Sequence, residues 1–242
     1  MKNLILQVNI PLHSKKSAST FYYDSDMYAA SNKSVKEWAQ SHGHDYILIE
    51  DLTYNHPAFE RFRMFDKEWD HYDQIMYVDS DFFVHKMTPN LLEWTKERKE
   101  EVFLTLNTTT DTETNRKSCK KCKTETYYNS GMMIWKRKAR QLVRSITKEA
   151  IELYAKSTFK DQDAINWMLR DKHDLILRLG SDWNDTMAHV RPLFTTHWCG
   201  RGKERWNPSH QRKIDLDKCR RITEINIEDY YLPKKIIASS LF

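Results

Sequence analysis

Gln74-Ile75-Met76-Tyr77-Val78-Asp79-Ser80-Asp81 is the stretch whose reading decides the fold. An uncharged run rich in β-formers reads as a short strand buried on both faces, and two aspartates one residue apart follow it directly. Residues i and i+2 of an extended chain project the same way, so both carboxylates can converge on one cation. In open α/β sheets, ligands gather beyond the carboxyl ends of the strands, where this pair would sit. A divalent metal there would bridge to a diphosphate. The bland alternative is a solvated acidic turn.

Outward from this strand the chain alternates. Leu4-Ile5-Leu6-Gln7-Val8-Asn9-Ile10 reads as a first strand, stopped by Pro11. Residues 17–42 read as a helix with Phe21, Met27, Tyr28, Val35, Trp38 and Ala39 on one stripe and Gly43 in the C-cap place. Residues 45–50 make a second strand, and residues 59–71 a second helix carrying Arg61 and Arg63 near its start. Strand, helix, strand, helix, strand predicts a mainly parallel sheet with right-handed crossovers. Further on come strands at 102–106, 132–135 and 175–177, and helices at 139–155 and 162–169. The polar stretch 108–126 reads as a mobile loop, and the tail after Ile214 as charged. There is no internal repeat and no clear linker, so one domain over 1–242 is expected.

Three downstream segments carry candidate chemistry. Thr195 to Trp206 packs His197, Gly200, Gly202, Arg201, Lys203 and Arg205 into one stretch. A neutral imidazole is a metal ligand better suited to manganese than to magnesium, glycine lets backbone N–H groups approach phosphate, and Lys203 adds charge. Asn129-Ser130-Gly131 forms a polar corner before a strand, with donors and an acceptor of the kind sugar hydroxyls need. Lys160-Asp161-Gln162-Asp163 opens a helix with Asp161 as an N-cap and Asp163 in the first turn, and capping alone would explain both acids. Trp198 and Trp206 flank the basic segment and are the rings expected to stack on a sugar. Cys119-Lys120-Lys121-Cys122 has zinc-ligand spacing, but no second pair completes it.

Composition bounds the classes. The chain of 242 residues has 39 Lys+Arg against 34 Asp+Glu, a net charge of +5, which suits a nucleotide but is too weak to demand nucleic acid. With 40% apolar residues it can build a core, which excludes wholesale disorder. It holds no run long enough to span a bilayer. Four cysteines are too few for a disulfide scaffold, and the apolar N-terminal run is too short for a secretory signal. A cytoplasmic protein, in a bacterium, a virus or a host cytosol, is expected.

Taken together, the motifs resemble the nucleotide-sugar glycosyltransferases of the GT-A fold, most closely glycosyltransferase family 8. Tyr77-Val78-Asp79-Ser80-Asp81 resembles that family's Asp-X-Asp strand and Asn129-Ser130-Gly131 its Asn-(Ser/Ala)-Gly corner. Asp161-Gln162-Asp163 with Asn166, Trp183-Asn184, and His197-X-X-Gly200-X-X-Lys203 follow in the family's order. The family follows its lysine with Pro-Trp, whereas here Glu204-Arg205 stand between Lys203 and Trp206. The resemblance implies an α/β, Rossmann-like mixed sheet flanked by helices, with residues 1–106 as nucleotide-binding half and 107–242 as sugar and acceptor half. It implies Mn2+ (or Mg2+) held by Asp79, Asp81 and His197, bridging a nucleoside diphosphate that is usually UDP. Val8 and Asn9 would border base and ribose; Arg63, Ser80, Gly200 and Lys203 would bind the donor; Asn129, Asp161, Gln162 and Asp163 would hold or act on its sugar. The implied reaction moves a hexose or pentose to a glycan or glycoprotein hydroxyl, with retention, and the 108–126 loop would close over the site. The competing readings are a metal-dependent phosphohydrolase of the haloacid-dehalogenase type, with Gly180 to Asp185 as its later acidic segment, and a non-catalytic nucleic-acid or zinc-binding module.

Overall fold

Strand β1 (Asn3–Val8) sends alternate side chains through a sheet covered on both sides: Leu4, Leu6 and Val8 enter one core and Ile5 the other. The computed structural model describes residues 1–10, 25–107, 112–184, 194–198, 206–222 and 231–232. After β1 come helix α1 (Ser25–Ser41) and strand β2 (Asp45–Ile49), then two 3-10 segments, Pro57–Phe65 and Lys67–His71. Strands β3 (Gln74–Val78) and β4 (Phe82–Val84), helix α2 (Leu91–Lys96) and strand β5 (Val102–Leu106) complete the first half. Helix α3 (Thr112–Cys122), strand β6 (Tyr128–Lys136), helices α4 (Arg137–Tyr154) and α5 (Lys160–Leu169), strands β7 (Ile176–Arg178) and β8 (Thr195–His197) and helix α6 (Pro208–Ile222) follow.

Among the described residues the main sheet has the order β2-β1-β3-β6-β5-β7, and β4 and β8 form a separate ribbon. β1 pairs in parallel with β2 and β3, and β5 with β7, while β6 runs antiparallel to both its neighbours. Five strands thus run one way and β6 the other, the mixed and mainly parallel α/β sheet expected. One face is covered by Pro57–Phe65, α4 and α5, the other by α1 and α2. Of the predicted stripe on α1, Met27, Tyr28, Val35, Trp38 and Ala39 are buried. Gly43 closes that helix at a φ of +71°, a conformation a Cβ would disfavour. Residues 17–24, with Phe21, lie outside the described residues.

Four expectations are corrected. The helix at 59–71 is two 3-10 segments, because Phe59, Phe62 and Phe65 recur every three residues and stack in file, with successive ring centroids 5.8 Å apart. The 108–126 loop contains α3. Glu113 pairs with Arg116 and Lys117 along it, and Cys122 buries its thiol against α5. The Asn129-Ser130-Gly131 corner lies inside β6, which begins earlier than its apolar run. Asp79 to Phe82 is a tight turn and not an extended pair, since the Phe82 N–H donates to the Asp79 carbonyl at 3.1 Å.

Candidate active site

The turn after β3 is held from three sides. Gln7, fully buried, donates from Nε2 to the Asp79 carbonyl at 3.0 Å, the Asp79 N–H donates to Gly131 in β6, and the Trp198 N–H donates to the Asp81 carbonyl. Because β4 begins directly after the turn and pairs antiparallel with β8, Phe82 lies opposite His197. A histidine far away in sequence is thereby delivered to the acidic pair. Its Nε2 lies 3.3 Å from Asp79 Oδ2 and 3.2 Å from Asp81 Oδ1. Ligand atoms of all three residues fall within 4.8 Å of one another, the only such cluster of His, Cys, Asp and Glu among the described residues.

The other oxygen of Asp79 is already engaged. Arg61 Nη2 and the Tyr77 hydroxyl each donate to Oδ1 at 2.9 Å, so Oδ2 is the oxygen left toward His197. Arg61 also reaches Asp161 Oδ2 at 2.8 Å, donates to the Ser130 carbonyl and hydroxyl, and lies over the Tyr77 ring at 4.5 Å. Burial disfavours the Arg61 charge, but Asp161 and Asp79 outweigh it and hold the guanidinium protonated more firmly than usual. Burial likewise opposes ionisation of Asp79, yet Arg61 and His197 together hold its carboxyl below the ordinary value. For Asp161, burial prevails over Arg61 and raises it.

Arg61 is the arginine beside the acidic turn that a helical reading does not single out. Three residues per turn place Phe59, Phe62 and Phe65 on the core ridge and Glu60 with Arg63 on a second, leaving Arg61 and Met64 on a third. Arg63 donates instead to Asp51, on an exposed side chain, at 2.9 Å. The Phe-X-X-Phe-X-X-Phe spacing was the signal that could have separated the two arginines.

β6 and α5 form the floor. Ser130 donates its hydroxyl to Asp161 Oδ2 at 2.8 Å and its N–H to Gln162 Oε1 at 3.1 Å, while Asn166 brackets the Tyr128 backbone with both ends of its amide. Gly131 lies directly under the cluster. A Cβ there would come within 2.2 Å of His197 Cε1 and 2.9 Å of Asp79 Oδ2, so glycine is required by the close approach. Asn129 is buried and bonded to Asn107, Asn184 and Gly131. Asp161 does not cap α5: Phe159 occupies the N-cap position, with no side-chain capping bond. Asp163 is fully buried and turned away from the acidic turn, accepting from Lys121 of α3 and from the hydroxyls of Tyr127, just before β6, and Ser157, between α4 and α5.

Of the remaining predicted residues, Val8 is buried at the end of β1, Asn9 follows it half-buried with its N–H on the Ile49 carbonyl, and Ser80 is half-buried in the turn. Gly200 and Lys203, with Gly202, Cys199 and Arg201, lie outside the described residues. Trp198 is buried and donates to Gln211 of α6, which makes it core and not a sugar platform. Cys119 and Cys122 are free thiols of α3; the Cys122 thiol is pushed up to about 12, by burial first and then by Asp163. No helix among the described residues is long and apolar enough to cross a membrane.

The donor set fits a divalent cation. Two carboxylate oxygens and one imidazole nitrogen converge on a common point, glycine leaves it clear, and Arg61 balances part of the negative charge. Comparison with known proteins bears on the fold and the family. Among solved structures, a glycosyltransferase involved in the glycosylation of the major capsid of PBCV-1 is similar over 93% of this chain and 100% of its own, at a TM-score of 0.56 and 11% identity. The galactosyltransferase LgtC, solved in complex with donor and acceptor sugar analogs, is similar over 93% of this chain and 98% of its own, at a TM-score of 0.53 and 13% identity. These likenesses show the GT-A fold. No curated protein matches the chain by sequence. The family model for glycosyl transferase family 8 matches residues 12–207, which overturns the phosphohydrolase and zinc-module readings. From the acidic turn to the distant histidine, the chain belongs to glycosyl transferase family 8.

Proposed function

We propose that this glycosyltransferase moves a hexose or pentose from a UDP-sugar to a hydroxyl of a glycan or glycoprotein, with retention, using Mn2+ (or Mg2+) at Asp79, Asp81 and His197. The observation that carries the proposal is the convergence of Asp79 Oδ2, Asp81 Oδ1 and His197 Nε2 over Gly131. When bound there, the cation supplies positive charge to the departing diphosphate.

The chain's own residues account for the rest. Arg61 and Tyr77 fix Asp79 Oδ1 and so aim Oδ2. Arg61 also holds Asp161 against Ser130, which keeps a negative oxygen beside the floor where the anomeric carbon would become positive. We assign the donor sugar to Asn129, Asp161 and Gln162, the base and ribose to Val8 and Asn9, and the diphosphate to Ser80, Gly200 and Lys203. Arg61 takes the donor role that the sequence pointed to at Arg63. Retention is favoured by the state of the acids in α5: Asp161 is ion-paired with Arg61 and Asp163 is committed to α3, so neither stands ready as the base that inversion needs.

The test is nucleoside diphosphate release from a panel of UDP- and GDP-sugars, with and without Mn2+, beside a generic phosphomonoester. We expect turnover of a UDP-sugar that needs the metal and is lost in Asp79→Ala, and a product whose anomeric configuration, read by NMR, equals that of the donor. Metal-independent turnover, or an inverted product, would overturn the corresponding part.

A further inference from the structure

His197 reaches the acidic turn through one ring nitrogen, and its other nitrogen ends a chain of buried carboxamides. His197 Nδ1 lies 3.0 Å from Asn184 Oδ1, and Asn184 Nδ2 donates to Asn129 Oδ1 at 2.8 Å. The backbone N–H of Gly131 donates to that same Asn129 oxygen, also at 2.8 Å. A backbone N–H can only donate, so it fixes which end of the Asn129 amide is oxygen. Asn184 must then present its NH2 to Asn129 and its oxygen to the imidazole. An oxygen facing Nδ1 requires a proton on Nδ1, and this leaves Nε2 as the nitrogen whose lone pair points at Asp79 and Asp81. Beyond Asn129 the polarity continues: its Nδ2 donates to Asn107 Oδ1 at 3.3 Å, and Asn107 Nδ2 donates to Asn115 Oδ1 on α3 at 2.9 Å. Asn184, Asn129 and Asn107 are all buried, where amide hydrogen bonds of this kind are strong.

We propose that Asn184 is a positioning residue for the metal site, holding His197 as its Nδ1–H tautomer with Nε2 on the ion, and that Gly131 sets the direction of the relay. Gly131 therefore has two separate duties, an absent Cβ that makes room and an N–H that orders the amides. The inference rests on the reading of Asp79, Asp81 and His197 as metal ligands.

Two measurements test it, both independent of turnover. In cadmium-loaded protein carrying nitrogen-labelled histidine, NMR should show the metal coupled to Nε2 of His197 and a proton on Nδ1. Coupling to Nδ1 overturns the inference on the wild-type protein, whatever the variants do. In Mn2+ titration by calorimetry, Asn184→Leu, which keeps the shape but cannot accept, should bind roughly 10- to 100-fold more weakly. Asn184→Thr, uncharged and with a hydroxyl that can still accept from Nδ1–H, should bind more tightly than Asn184→Leu. Equal losses in the two variants would reduce Asn184 to a packing residue and overturn the proposal. Wild-type protein that binds neither metal would bring down the metal reading itself, a result distinct from binding that ignores Asn184.

Discussion

Asp161 and Asp163 stand two residues apart at the start of α5, yet they serve different regions of the molecule. Asp161 faces the sheet end and is gripped by Arg61 and Ser130 beside the acidic turn. Asp163 faces α3 and ties down Tyr127, Ser157 and Lys121. Positions two apart on a helix are separated by about 200° around its axis, so only one of such a pair can look into a given site. The first region turns its polar groups toward one shared point; the second closes on itself. A buried acid with every oxygen answered by the protein has little left for a substrate.

The largest effect that would probe this division belongs to the first region. Asp81→Ala should lower kcat/KM by at least about 10³-fold, since it removes one of the oxygens proposed to hold the cation that would offset the charge of the departing diphosphate. Retention of turnover within tenfold would break the assignment of the turn as the reactive region. Next comes Gly131→Ala. Its Cβ would press on His197 and Asp79 Oδ2, so Mn2+ affinity measured by calorimetry should fall by more than about tenfold, together with a lower melting temperature from the overpacking.

The second region should answer in stability. Asp163→Ala strands the buried hydroxyls of Tyr127 and Ser157, at a cost of about 3 kcal/mol in urea unfolding. The folded fraction should keep kcat within tenfold. A fully folded Asp163→Ala protein without activity would show that the two acids share one function after all.

The smallest effect comes from a third polar cluster, under α6, where His85 lies between Asp215 and Thr196. Burial is the larger influence on His85 and outweighs the Asp215 bond, lowering it from 6.5 to about 4. The folded protein therefore takes up this proton less readily than the unfolded chain. The stability linked to it is complete above the unfolded value and is lost as pH falls through the window between the two, by at most about 3 kcal/mol. His85→Gln should flatten that part of the pH–stability curve. An unchanged slope would show that the acid sensitivity arises elsewhere.

Much of this was legible from residue order. Apolar runs of strand length, the stripe on α1, the positive-φ Gly43 and the strand that delivers Asp79 and Asp81 all follow from local periodicity and backbone sterics. Segments whose form depends on a partner were less legible. α3 is too polar to announce itself, because it buries a few groups, Cys122 among them, against α5. The first strand residues of β6, including Asn129 and Gly131, carry no strand signal because their neighbours are the site itself.

The sequence by itself determined the mainly parallel α/β architecture, the acidic pair after its strand and the candidate histidine, since each is written in short-range pattern and residue chemistry. Only the tertiary structure decided that Arg61 reaches Asp79 and Asp161 while Arg63 pairs with Asp51, that Asp161 and Asp163 part company, and that His197 meets Asp79 through Nε2. Those outcomes depend on which face of an element meets which neighbour, and in a packed interior that is settled by distant strands such as β4 and β8 pairing, not by the residues alongside.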